Sequence, residues 1–184
     1  MSDGARLSNE FRIPERMKAW VLDGPEELRL AEKPVPEPGA AEVLVRIDAV
    51  AVCATDLEIL KHGVPAMVDG ELPFHKNFTI GHEFMGTVVK LGDGVDEFEP
   101  GDRVTVEVHA GCGRCERCRE GMYTSCLNYG SRAKGHRANG FTTDGGFAEY
   151  AVNNVKKTPS RRCSASPAAR ASPTCSNARA RPTP

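Results

Sequence analysis

Four of the seven cysteines in this chain fall within one short run, GCGRCERCREGMYTSC at 111–126. Cys112, Cys115, Cys118 and Cys126 have the spacing C-x2-C-x2-C-x7-C. Four thiolates close a tetrahedral shell around zinc and leave no position for substrate, so this set reads as a metal site that staples a loop. Gly111, Gly113 and Gly121 supply the backbone freedom that tight wrapping requires. Arg114, Arg117 and Arg119 are expected to offset the thiolate charge. Iron–sulfur ligation is the rival chemistry, because ferredoxin-type runs open with the same spacing; the longer last gap and the lack of a proline after Cys126 count against it. A second set is looser. Cys53 in CATD, with His82 and Glu83 in GHE, offers a thiolate, an imidazole and a carboxylate. A catalytic zinc keeps about three protein ligands and one position open to water or substrate. On spacing alone the signal is weak, since a lone cysteine at a strand end is more often core and a lone histidine often only a hydrogen-bonded surface group.

The elements that must position these groups are mostly short strands. KAWVL (18–22) and ELRLAE (27–32) flank the turn signal DGPE, and EVLVRIDAVAV (42–52) places Val43, Val45, Ile47, Ala49 and Ala51 on one face at period two. FMGTVVKLG, RVTVEV and FAEYAV are further strands, the first two joined through a turn around Pro100-Gly101-Asp102. TDLEILKHG (55–63) predicts a short helix, with Thr55 and Glu58 at capping-box spacing and Gly63 at its end. The fold expected is mainly β with short helices, a sandwich or partly open barrel. Residues 1–16 form a polar leader, 17–159 the domain, and 160–184 a tail with five arginines, no acid and no large apolar residue. Such a tail cannot bury enough apolar area to offset its ordering entropy and is expected to be disordered. Two origins stay open for it: a natural basic tail, or a frameshifted or truncated end, since Arg, Ala, Ser and Pro dominate off-frame readings of GC-rich DNA, and the second is the one favoured.

Hydrophobic residues make up 40% of the 184 and the formal net charge is −1, which points to neither a nucleic-acid nor a membrane-surface partner. No apolar run reaches the roughly 18 residues of a membrane span. The first sixteen residues carry scattered charges and no apolar core, so no secretory signal is expected. Seven cysteines without a signal peptide imply reduced thiols and a cytoplasmic location.

The run GHEFMGTVVKLGDGV (81–95) follows G-H-E-x2-G-x5-G-x2-V and resembles the signature of zinc-containing alcohol dehydrogenases of the medium-chain dehydrogenase superfamily. C-x-T-D before it, G-D-R-V after it, the four-cysteine run and GGFAEY (145–150) match that family in the same order. The resemblance covers Met17 to about Pro159. It implies a GroES-like catalytic domain, followed in intact members by a Rossmann domain that binds NAD or NADP. Alcohol dehydrogenases are the standard example of a catalytic zinc held by two cysteines and a histidine. By the same resemblance Cys53 and His82 are ligands of a catalytic zinc, and Glu83 is a ligand or exchangeable partner. Thr55 takes the hydroxyl position through which the substrate proton leaves. Asp56 orients His82, and the four clustered cysteines hold a structural zinc. CATDLEILKHG is most similar to the polyol, sorbitol-type and threonine dehydrogenase branches, with Glu58 standing where those branches carry histidine and Ala54 where glycine is usual.

The implied partner is a small-molecule alcohol or polyol, with a possible homo-oligomer in the intact protein. No G-x-G-x-x-G turn lies between a strand and a helix in these residues, so the cofactor's cradle is missing from the sequence. Two functions remain open from sequence: a zinc-dependent dehydrogenase domain, inactive without its cofactor domain, and a non-catalytic zinc-binding structural or partner-binding module.

Overall fold

The structure, a computed structural model, describes residues 11–64, 76–155 and the backbone of 161–162. β1 (Arg16–Leu22) and β2 (Leu28–Pro34) form an antiparallel hairpin, in register from Arg16↔Pro34 to Leu22↔Leu28. β3 (Glu42–Ala51) leads into α1 (Ala54–His62), and β4 (Phe78–Thr79) pairs with the far edge of β1. β5 (Glu83–Leu91) and β6 (Arg103–Thr105) follow, then β7 (His109–Ala110), the short helix α2 (Glu116–Arg119), β8 (Arg137–Ala138), β9 (Tyr150–Asn154) and β10 (Arg161–Arg162). The strand orders are β2-β1-β4, β10-β6-β5-β3-β9 and β7-β8. This is the mainly β, partly open architecture expected, and no second, parallel-sheet domain occurs among the described residues.

The two larger sheets are stitched by the segment before β9. Trp20 N–H donates to the Phe147 carbonyl (2.7 Å), Glu149 N–H to Lys18, and Ile47 N–H to Glu149. FAEYAV therefore bonds to β1 with its first half and to β3 with its second. Val43, Val45, Val88, Leu91, Phe98, Val104 and Val155 fill one core cluster under the five-stranded sheet. Leu22, Ile59, Val64 and Ile80 fill another, which docks α1. Burying the Ile59 side chain there contributes roughly 1.5–3 kcal/mol, more than so short a helix gains from propensity.

The expected single face of β3 holds only to Ile47. Irregularities between Leu44 and Val45 and between Ile47 and Ala49 re-aim the strand, so Ala49 and Ala51 are exposed and Val50 is half-buried. Each extra residue shifts the side-chain alternation by one position. RVTVEV is strand only over Arg103–Thr105, although Val106 N–H still donates to the Phe84 carbonyl. The expected turn is present: Gly101 has φ +100°, and its N–H donates to the Val88 carbonyl.

The leader is described only from residue 11. Phe11 lies under the Arg46 guanidinium, 5.5 Å from ring centroid, and the Glu15 carbonyl accepts from Val35 N–H. Within the expected tail, Arg161–Arg162 pair antiparallel with β6, Arg161 opposite Thr105. Main-chain pairing to a sheet edge needs no apolar side chain, which is why composition did not reveal it. The rest of the tail lies outside the described residues.

Lys33 ties three elements beside this core. Its buried ammonium donates to the Asn77 carbonyl (2.9 Å), to Thr79 Oγ1 (3.2 Å) and to Asp144 Oδ2 (2.5 Å), while Asp144 Oδ1 accepts Thr79 N–H. The loop that carries Gly140, Gly145 and Gly146 is thereby fixed against β4, next to the histidine expected to bind metal.

Candidate metal centres

Cys53 ends up at the open site because β3 stops and α1 starts around it. Its backbone is extended (φ −121°, ψ 177°) and it occupies the N-cap. Asp56, in the first turn, accepts the Cys53 N–H at 2.9 Å, and Asp56 N–H donates back to the Cys53 carbonyl. The cap is thus Cys53 with Asp56, not Thr55 with Glu58. The helix begins one residue earlier than its composition suggests, because the extended Cys53 leaves its own N–H for a side chain to satisfy. Glu58 is exposed and lies 3.7 Å from His62 one turn on. Thr55 is half-buried inside the first turn, and Gly63 (φ +79°) closes the helix as expected, its N–H donating to the Ile59 carbonyl.

His82 arrives from the other side, at the start of β5. The residue before it, Gly81, has φ +94°, a conformation that side chains resist. A Cβ there would come within 2.6 Å of the Phe147 ring. Gly145 N–H and Gly146 N–H donate to the Thr79 and Gly81 carbonyls, both at 2.7 Å. Backbone meets backbone at this crossing, and the buried imidazole of His82 is aimed toward α1.

There His82 Nε2 lies 3.3 Å from Cys53 Sγ and 3.8 Å from Glu83 Oε1. One donor atom from each of Cys53, His82 and Glu83 falls within 4.8 Å of the other two. His82 Nδ1 and Asp56 Oδ1 are 3.2 Å apart, but the approach is off the hydrogen-bond direction, and neither buried atom has another partner. A carboxylate behind an imidazole is the usual way to fix the ring when its other nitrogen binds metal. Glu83 is half-exposed, so the set is open on one side. Thiolate, imidazole and carboxylate with an open flank suit zinc in a catalytic arrangement.

The four-cysteine set is closed. Cys112 Sγ and Cys118 Sγ are 4.0 Å apart, Cys115 Sγ and Cys126 Sγ 3.9 Å, and all four sulfurs lie within 4.8 Å of one another. Zinc at about 2.3 Å from each sulfur of a tetrahedron sets their separations near 3.8 Å, so the cage has the right size. N–H groups point at the sulfurs: Cys112 N and Asn128 N at Cys126 Sγ (3.4 and 3.3 Å), Cys115 N and Asn128 Nδ2 at Cys112 Sγ (3.4 and 3.2 Å). Burial raises the Cys112 thiol, but the Arg114 backbone N–H, Asn128 and the Cys115 N–H outweigh it and bring the thiol down to about 6. The Cys118 N–H, first among several influences, lowers Cys115. Burial, with the neighbouring sulfurs, pushes Cys118 up to about 12. Without a cation the cage thus favours a proton on Cys118, and metal must displace it. Arg114 acts on the cage through its backbone N–H, and the Arg117 guanidinium reaches the Met122 sulfur. Gly111 is required by packing, since a Cβ would lie 2.6 Å from Cys118 Sγ.

Sequence reasoning missed the rings between the two centres. Phe141 stacks 5.0 Å from His82, and His109, Tyr129 and His136 continue the group, with centroids 5.2 Å (His109–Tyr129) and 4.5 Å (Tyr129–His136) apart. They come from β7, from the connection into β8 and from the loop after β8, so no spacing marks them. Asn128 was discoverable, as a side-chain amide two residues after the last cysteine. His136 is fully buried, its Nδ1 accepts Gly130 N–H, and burial holds it down at about 4, with His109 and Arg137 adding to the effect. A folded value below the ordinary 6.5 means that the unfolded chain binds this proton first. Stability is therefore full above about pH 6.5 and falls between there and pH 4, with a slope of at most about 1.4 kcal/mol per pH unit. His136→Gln is expected to flatten that slope in denaturant titrations at pH 4.5–7, and an unchanged slope would refute the assignment.

A family model for the alcohol dehydrogenase GroES-like domain matches residues 39–160, which hold every residue of both centres. The chain belongs to this family. Within the zinc-type medium-chain dehydrogenase superfamily, it is 41% identical over 151 residues to an L-threonine 3-dehydrogenase of Pyrococcus furiosus, covering 80% of this chain and 40% of that one. It is 40% identical over 114 residues to a sorbitol dehydrogenase of Bacillus subtilis, covering 62% and 31%. The crystal structure of the D-arabinose dehydrogenase from Sulfolobus solfataricus is similar with a TM-score of 0.63 at 32% identity, over 83% of this chain and 42% of that one. The chain thus spans less than half the length of these relatives. No helix among the described residues is long and apolar enough to cross a membrane.

Proposed function

We propose that this chain is the catalytic domain of a zinc-dependent oxidoreductase that oxidises a secondary alcohol or polyol with NAD or NADP as hydride acceptor. The observation that carries this reading is the convergence of Cys53, His82 and Glu83 on one open point, with Asp56 behind the imidazole. The names of two relatives, a sorbitol and an L-threonine 3-dehydrogenase, support the polyol or amino-alcohol branch. Cys53, His82 and Glu83 hold the catalytic zinc, and Cys112, Cys115, Cys118 and Cys126 the structural one. The catalytic zinc supplies Lewis acidity that lowers the pKa of a substrate hydroxyl. Asp56, 3.2 Å from His82 Nδ1, is the group that orients the ring. Thr55, half-buried one residue before Asp56, accepts the substrate hydroxyl proton and hands it outward through its own hydroxyl. Phe141 walls the site beside His82 and excludes water. On this reading NAD or NADP binds on a domain outside these residues, and the protein works in the cytoplasm.

A second reading is a zinc-binding structural or partner-binding module without turnover. Two measurements separate the readings. The purified chain should contain two zinc ions, one of which is lost in His82→Ala; two retained by that variant would sink the catalytic-centre assignment. Joined to a cofactor domain, the chain should turn over polyols and His82→Ala should not. Binding of NADH by the chain alone, seen as a shift in nicotinamide fluorescence, would move the cofactor site into these residues.

A further inference from the structure

We propose that the four-cysteine loop is also a peroxide-responsive switch: hydrogen peroxide converts it into two disulfides, Cys112–Cys118 and Cys115–Cys126, and so expels its zinc. The inference rests on reading the loop as a zinc site, and adds a chemistry to it.

Burial and distance together select the pairing. Cys112 and Cys126 are buried residues, whereas Cys115 and Cys118 are partly exposed ones on the outer side of the loop's cage. Each partly exposed cysteine has a buried one beside it, Cys118 beside Cys112 at 4.0 Å and Cys115 beside Cys126 at 3.9 Å. An accessible thiolate poised next to a resolving thiolate is the arrangement that carries sulfenic acid on to disulfide. Closing each bond to about 2.05 Å requires the two sulfurs to approach by roughly 2 Å. The turns that carry them accommodate this, since Gly113 (φ +71°) and Gly121 (φ +81°) flank the partly exposed pair and Gly121 has open space around its Cα.

The step balances. The Cys118 thiolate attacks one peroxide oxygen, the O–O bond breaks, and hydroxide leaves; Cys118 is then a sulfenic acid. The Cys112 thiolate attacks that sulfur, forms the S–S bond and displaces a second hydroxide. One peroxide accepts two electrons, and two thiolates supply them. A second peroxide does the same at Cys115 and Cys126. Four thiolates and two peroxides give two disulfides and four hydroxides, and the zinc ion is left without protein ligands. A dithiol reductant reverses the change when zinc is present. The open centre behaves differently, because Cys53 is the one thiol in its cluster and has no thiolate there to resolve a sulfenic acid.

The test uses the whole chain, and beside it a Cys163→Ser, Cys175→Ser double variant that removes the two cysteines outside the described residues. Zinc is counted first; then two equivalents of hydrogen peroxide are added with a chromogenic chelator, and the disulfides are mapped by mass spectrometry after alkylation. The expected result is release of the loop's zinc, loss of four thiols, the pairs Cys112–Cys118 and Cys115–Cys126 in both proteins, and recovery with dithiothreitol and zinc. Pairing of Cys115 with Cys118, or sulfinic acids without release, would overturn the switch while leaving the zinc reading intact. A loop that holds no zinc before peroxide would overturn the zinc reading, and the switch with it.

Discussion

Cys126→Ser will lose one zinc per chain and a large part of the domain's stability, whereas Cys53→Ser will lose one zinc and little stability. The contrast follows from what each sulfur holds in place. Between β7 and β8 the chain has only α2 and a single 3-10 turn (Tyr123–Ser125) as regular structure, and neither buries a residue. No hydrophobic cluster includes any residue of 111–126. The loop's own fastenings are its sulfurs, their N–H partners and the Tyr123 hydroxyl on Glu107 (2.7 Å). A structural zinc contributes on the order of 10 kcal/mol of binding free energy, which is comparable to the whole stability of a domain. Cys126 Sγ also accepts two backbone N–H groups, so its loss releases the turn into Asn128 as well. Cys53, in contrast, lies at the junction of β3 and α1, which stays closed through Asp56 and the buried Ile59. Thermal unfolding should place Cys126→Ser roughly 10 °C or more below the parent, from a loss of several kcal/mol in a domain of this size, and Cys53→Ser within a few degrees. Limited proteolysis should cut Cys126→Ser first within 111–129. Equal midpoints for the two variants would show that the loop is held by something other than its metal.

The difference between these cysteines was already legible in the sequence, because ligand type and spacing are local properties. Four thiols in one run need no tertiary information to be read as a cage. Cys53 and His82 needed more: 29 positions separate them, and what joins them is a glycine crossing with no periodicity of its own. The hydrophobic alternation of β1 gave that strand, since it is buried mainly on one face, and the apolar run Val43–Val45, buried throughout, gave the first half of β3. Alternation failed in the second half of β3, where bulges shift the faces, and at Arg161–Arg162, where pairing is purely main-chain. The ring group of His109, Tyr129, His136 and Phe141 was invisible for a related reason: one ring is in β7, two are on the connection into β8 and one is on the loop after β8, and contacts between such segments follow from the paths the sheets impose.

The glycine crossing yields the second large effect. Gly145→Ala will unfold the domain at markedly lower denaturant and will empty the open centre before the closed one. Gly145 does not need left-handed backbone, so the effect is steric alone. An added Cβ would overlap the Gly81 carbonyl oxygen and lie 2.7 Å from the Ile80 carbonyl oxygen and 2.8 Å from the Gly140 Cα. All three obstacles are main chain, so no side chain can swing aside. Relief requires the 139–146 loop to part from Gly81, breaking the Gly145-to-Thr79 and Gly146-to-Gly81 hydrogen bonds. Overpacking of this kind costs about 3 kcal/mol or more when backbone must move, and the two hydrogen bonds add roughly 1 kcal/mol each. Gly81 is joined directly to His82, so any shift that relieves the clash also withdraws the imidazole from Cys53, now 3.3 Å away. Gly101→Ala is the control, with nothing within 4 Å of its added carbon and only its φ of +100° to oppose it. Urea titration should show a fall of several kcal/mol for Gly145→Ala and about 1 kcal/mol for the control. Zinc analysis of the folded protein should find the four-cysteine site full and the Cys53–His82 site depleted in Gly145→Ala alone. A variant that keeps both zincs and the parent's midpoint would mean that the two backbone segments can separate without carrying His82 with them, and the crossing would lose its role in building the site.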